Sequence, residues 1–91
     1  MGRLQRFRQK IIDRAYFLSD HANDEMYIDD LDRADIEFAI LHGRMDKRYT
    51  EDLRGTRRRI VGPSQDGREV HIICRLIETG DLLIITAYVK E

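Results

Sequence analysis

The stretch that most restricts the fold is REVHIICRLIETGDLLIITAYV, residues 68–89. Two β-rich apolar runs flank Glu-Thr-Gly-Asp, a turn composition, and together they read as a β-hairpin. If Ile77 stands opposite Leu82, then Val70, Ile72, Cys74 and Leu76 share a face with Leu83, Ile85, Ala87 and Val89. All eight are apolar, so this face is expected to receive helices, because strand register assigns every side chain to one face or the other. The opposite face carries His71, Ile73, Arg75 and Ile77 beside Leu82, Ile84, Thr86 and Tyr88. In that register His71 lies directly opposite Tyr88.

The period differs before Gly43. Leu4, Phe7, Ile11, Ile12 and Ala15 follow helical spacing, with Arg3, Arg6, Lys10 and Arg14 on another side. The spacing predicts a basic amphipathic helix over residues 1–15, ahead of one α+β domain over residues 16–91. A short strand at Tyr16–Leu18 precedes a helix from His21 to about Tyr27, with Asp20 as its N-cap. Asp32 and Asp35 form a capping-box pattern opening a further helix, which Gly43 ends as a C′ glycine. Strands then follow near Arg44–Thr50, through EDLRGT to RRRIV, and on through GPSQDG to the hairpin. Helices followed by consecutive antiparallel strands define an α+β chain, with its N-terminal helices packed on one face of a small meander.

Charge is segregated along the 91 residues. Residues 1–18 carry five bases and one acid, 19–37 one base and eight acids, 44–59 seven bases and three acids. A basic binding surface is therefore compatible with the net charge of −1. Most acids of the second block fall at the two helix starts, where the helix dipole favours them. The single cysteine, Cys74, has no internal disulfide partner, and the N-terminal apolar runs are too short for a signal peptide or membrane span. A cytoplasmic protein with no membrane association is the expectation.

The strand RRRIV brings an arginine beside the hairpin. With Ile60 facing the core, Arg59 falls next to His71; with Val61 facing the core, Arg58 takes that place. Either choice predicts an Arg–His–Tyr row across three strands. Arginine grips phosphate oxygens and stabilises the charge of in-line attack. Histidine gives or takes a proton near neutral pH, and tyrosine donates a hydrogen bond or stacks on a base. Such a row suits phosphodiester cleavage in RNA, whose own 2′-hydroxyl is the nucleophile. It also suits a cross-strand His–Tyr pair that only stabilises the sheet.

His21, at a helix start, reads either as an imidazole delivered to the sheet edge or as a local hydrogen-bond partner. HANDE is not the HExxH zinc helix, and the scattered histidines lack ligand spacing. Cys74 falls on the core face, which argues against a reactive thiol. No glycine-rich phosphate loop or nucleophile elbow is present. No metal and no cofactor are expected.

The ordered elements LSDHANDEM, DLDRADIEFAILHG, RRRIVGPSQDGREVHIICRLI and GDLLIITAYV resemble the small prokaryotic proteins grouped as domain of unknown function 4258. The likeness runs from about Phe17 to Val89. It implies kinship with RelE/ParE-like and MqsR-like toxins of toxin–antitoxin systems, many of which cleave mRNA on a compact α+β fold. The motif positions are Ser19, His21, Ala22, Asp35, Gly43, Gly62, His71, Thr86 and Tyr88. Relatives commonly carry Arg-Gly where this chain has Asp29-Asp30, and an acid there would repel phosphate if it lay near a binding groove. The resemblance thus implies a toxin-like, metal-independent ribonuclease acting on RNA and partnered by a cognate antitoxin-like protein. His71, Tyr88, Arg59 or Arg58, and His21 would serve as its site. The alternative is a non-catalytic module that binds a partner protein through the same sheet face.

Overall fold

The computed structural model describes residues 2–50 and 53–91. Glu51 and Asp52, in the expected EDLRGT connection, lie outside the described residues. The elements run α1 (Arg3–Ile12), β1 (Tyr16–Leu18), α2 (Asp20–Ile28), α3 (Arg33–His42), β2 (Arg44–Tyr49), β3 (Arg57–Pro63), β4 (Glu69–Leu76) and β5 (Leu82–Val89). The class is α+β. The strands form one sheet ordered β1-β5-β4-β3-β2. The meander from β2 to β5 is antiparallel as expected, but β1 joins β5 in parallel, so the sheet is mixed.

The core lies on one side of this sheet. Ile60, Val70, Ile72, Cys74, Leu82, Ile84 and Ala87 meet Phe7 and Ile11 of α1, Ala22 and Met26 of α2, and Ile36, Ala39 and Ile40 of α3. All three helices bury apolar residues here, so no described helix covers the opposite, open face. Ile12 departs from the expected apolar stripe of α1 and is exposed. Arg8 anchors that helix by donating from Nε and a terminal nitrogen to the carbonyls of Ile40 and Gly43, at 3.1 and 2.8 Å. It thereby satisfies orphan acceptors at the C-terminus of α3.

Helix α3 starts on the expected capping box, with Asp32 and Asp35 each accepting the other's backbone N–H. Asp35 is also buried and accepts the Gln65 amide at 2.9 Å, tying the helix start to the β3–β4 turn. Gly43 does follow α3, but its backbone is extended, not left-handed. Its requirement is space: a Cβ there would stand 2.5 Å from the carbonyl oxygens of both Ala39 and Val61. Gly62 is tighter still, with a Cβ meeting the Ala39 oxygen at 2.1 Å. Two glycines and an alanine let α3 lie against the backbone of β3.

Two expectations about α2 and the hairpin are corrected. The N-cap is Ser19, and Asp20 is the first helical residue. The serine hydroxyl accepts from Ala22 N at 3.0 Å and donates to the Ile85 carbonyl at 2.7 Å. An ionised carboxylate could do only the first. In the hairpin, pairs from Val70↔Val89 to Ile73↔Thr86 follow the expected register, and then a β-bulge at Ile85 shifts it. Leu76, not Ile77, faces Leu82. The extra residue exchanges the faces beyond it: Leu82 and Ile84 are fully buried, while Leu83 and Ile85 move to the open side and are half-buried.

Because β1 ends at Leu18, the outer edge of β5 beyond Ile84 has no strand partner, and Ser19 and α2 supply one. Ser19 N donates to the Ile84 carbonyl. The Glu25 carboxylate accepts the Ala87 amide at 3.1 Å, and Asp29 accepts the Val89 amide at 2.7 Å. These acids serve a buried edge and not a helix start; of the eight acids in residues 19–37, Asp20, Asp32 and Asp35 stand at helix starts, which corrects the expectation that most do. Asp30 has a φ of 54°, in the left-handed region that glycine tolerates best.

Candidate functional site

The open face presents residues 69, 71, 73 and 75 of β4, alternating with the buried Val70, Ile72 and Cys74. His71 stands opposite Tyr88 as the sequence predicts, with ring centroids 5.5 Å apart and planes tilted by 44°. Glu69 precedes it by two and shares its face. The His71 Nε2 donates to the Glu69 carboxylate at 2.7 Å. The residue is 5% exposed, and its Nδ1 is buried without a hydrogen-bond partner among the described residues. Glu69 is the solvent end of the pair, and the bond from His71 holds its carboxyl below the ordinary glutamate range.

The expected arginine is displaced. Ile60 faces the core opposite Ile72, which puts Arg59 on the open face with Arg57, yet the Cα partner of His71 is Val61 and that of Arg59 is Ile73. The row through His71 is therefore Arg44–Val61–His71–Tyr88 across β2, β3, β4 and β5. Arg59 lies beyond it and is clamped by Asp46 through two bonds of 2.8 Å each. Asp46 reaches it because the β2 register shifts between Met45 and Lys47. The clamp lowers the Asp46 pKa and raises that of Arg59. Arg58 points the other way: it pairs with the buried Cys74 and places a guanidinium nitrogen 4.0 Å from the Met45 sulfur. It is not part of the open-face cluster.

His21 does not join the cluster. It occupies the first turn of α2, beyond the outer edge of β5, with Nε2 3.3 Å from Glu25. Glu25 is the same carboxylate that holds the Ala87 amide, so His21 supports the capped edge. Likewise Asp29 and Asp30 lie at the end of α2, where their carbonyls accept from Arg68 at 2.6 and 3.0 Å. Arg68 also pairs with Asp66 in the β3–β4 turn, where the Ser64 hydroxyl donates to the same carboxylate.

A shallow cleft of about 310 Å³ opens beside Glu69, lined by His42, Gly43, Arg44, Val61, Gly62, Pro63, Gly67, Arg68 and Glu69. His42 is exposed, stacks on Phe38 at 4.1 Å and donates from Nδ1 to the Phe38 carbonyl at 3.0 Å. With that tautomer its Nε2 is the ring's acceptor. Three members of the site are absent from the set expected from the sequence. Glu69 was open to the two-residue period of β4; Arg44 required the β2–β3 register, and Asp46 required a bulge that no local signal announces.

Helices on one face of a mixed sheet, with a carboxylate–imidazole–phenol cluster on the other, define the class of molecule. The chain belongs to the family described as Domain of unknown function (DUF4258), whose model matches residues 18–89. That match takes in every element except α1 and β1's first two residues. No curated protein and no solved structure matches the chain significantly. No helix among the described residues is long and apolar enough to cross a membrane.

Proposed function

We propose that the chain is a toxin-like endoribonuclease that cleaves RNA at the Glu69–His71 pair. The observation carrying this reading is the 2.7 Å bond between His71 and an exposed carboxylate, in a face that also holds Tyr88, Arg59 and Arg44. Glu69 would take the proton from the 2′-hydroxyl, with the His71 ring fixing the carboxylate and stabilising its charged form. Arg44, exposed at the cleft, would hold the phosphate, and Tyr88 would donate to it or stack on a base. His42 lines the same cleft as Glu69 and would pass a proton to the leaving oxygen. Kinship with the RelE-like toxins and a cognate antitoxin-like protein as natural inhibitor belong to the same proposal.

Induced expression in bacteria tests it through total RNA integrity. Rapid loss with the wild type but not with His71→Ala is expected. Intact RNA with soluble wild-type protein would overturn it. The second reading, a non-catalytic module binding a partner protein through the same face, draws on the enclosure of His71, whose side chain is 7% exposed. On that reading His71→Ala leaves RNA levels unchanged from wild type.

A further inference from the structure

The open face carries more than the cluster around Glu69. Phe17 in β1 pairs with Leu83, and both alternate with residues buried on the core side, so Phe17 projects from the open face. It is 54% exposed. Tyr49 and Tyr88 lie on the same face in β2 and β5, so three strands each contribute one aromatic ring to it. Arg44, Lys47, Arg57, Arg59 and Arg75 occupy open-face positions, and Asp46 and Glu69 are the carboxylates there among the described residues. Between Phe17 and Tyr88 run Leu83, Ile85 and Thr86, half-buried.

From these placements we infer that the open face is a single-stranded RNA track, with Phe17 as a base-stacking platform remote from the Glu69–His71 pair. A duplex hides its base faces, whereas an unpaired strand offers a π-face at each nucleotide and a phosphate between them. An aromatic-and-basic sheet face matches that alternation in both respects, and an apolar protein partner would cover the exposed Arg44 and Lys47 without offering them a counter-charge. At ~3.3 Å per residue, the path from Leu83 to Tyr88 is roughly 16 Å long. Arg44 lies four strands from Phe17 at ~4.8 Å each, so the two are roughly 25 Å apart across the face, a span for an extended segment of several nucleotides with its far base on Phe17 and a phosphate at Arg44. The bulge at Ile85 shapes the track, because it puts Leu83 and Ile85 on the open side as an apolar floor.

The inference rests on the ribonuclease reading for its choice of RNA, and the two can fail separately. The test is fluorescence anisotropy with a labelled 2′-O-methyl oligoadenylate, which cannot be cleaved, against wild type, Phe17→Ala and Phe17→Leu. Phe17→Leu keeps apolar bulk and removes the π-face. Each variant is expected to bind about tenfold more weakly, as loss of one base–aromatic stack dictates, with unchanged thermal unfolding. The same sequence presented as a duplex is expected to bind far more weakly than the single strand. Equal affinity of all three proteins would overturn the track, as would duplex binding as tight as single-strand binding. Displacement by polyglutamate as potent as by unlabelled oligoadenylate would also overturn it. RNA cleavage with unchanged KM in the Phe17 variants removes the track and leaves the nuclease standing. Phe17-dependent binding without cleavage by the wild type retains the track and removes the nuclease.

Discussion

Gly62 and Ala39 are in backbone contact: a Cβ built on the glycine would stand 2.1 Å from the Ala39 carbonyl oxygen. That contact sets the distance of α3 from β3, and through Gly43 it also sets the start of β2. Gly62→Ala must push the helix off the sheet, and overpacking of this kind costs about 1–3 kcal/mol or more. Urea unfolding should show a lower midpoint with little change in slope. An unchanged midpoint would mean that the helix is not seated on the strand.

Asp29 and Glu25 substitute for a missing strand along β5. Removing a carboxylate leaves a strand N–H without its charged acceptor, a loss of about 1–3 kcal/mol. Asp29→Ala should lower stability by that amount and speed hydrogen exchange at Val89. Glu25→Ala should do the same at Ala87. His21→Ala, which removes only a support of Glu25, should have a smaller effect.

Cys74 is fully buried beneath the helices, and burial pushes its thiol pKa up to about 12. The thiolate is the reactive form, so a thiol reagent should label the native protein only as fast as it opens. Labelling in denaturant should be immediate. Rapid labelling of the native protein would place Cys74 outside the core.

Two open-face carboxyls give the fold an acid limit. Hydrogen bonding from His71 depresses Glu69, and the Arg59 clamp depresses Asp46. Since both hold on to their charge longer in the folded state, the unfolded chain takes up protons first as pH falls. Their contribution is complete above the ordinary carboxylate values near ~4 and is lost as pH falls through the folded values. Stability should therefore decline below about pH 4, and Asp46→Asn should flatten that decline. An identical acid limb in the variant would show that the clamp does not form.

Features set by nearby residues were readable before the structure. The Asp32–Asp35 box, the burial of Cys74 and the His71–Tyr88 pairing follow from capping chemistry and two-residue alternation. The bulges at Ile85 and near Asp46 were not readable, because an extra residue in an apolar or charged run leaves no mark in composition. Their effects spread: one exchanged the faces of Leu82–Ile85, and the other delivered Asp46 to Arg59. Ser19 outcompeted Asp20 as a cap because it can also donate to Ile85, a long-range demand invisible in a local window. Arg59 was placed on the right face but beside the wrong residue, since the β3–β4 turn sets a register that spacing alone left open.

The most direct measurement is cleavage of a defined oligoribonucleotide by purified protein, with and without ribosomes, followed by end-group analysis. Wild type should yield 2′,3′-cyclic phosphate ends. Glu69→Gln should slow cleavage at least a hundredfold, as expected for loss of a general base, and His71→Ala, which releases the carboxylate that the ring positions, should slow it as well. A 2′-deoxy substitution at the cleaved position should abolish the reaction. Cleavage that survives Glu69→Gln and His71→Ala, or none by folded wild type in either condition, would contradict catalysis at this pair.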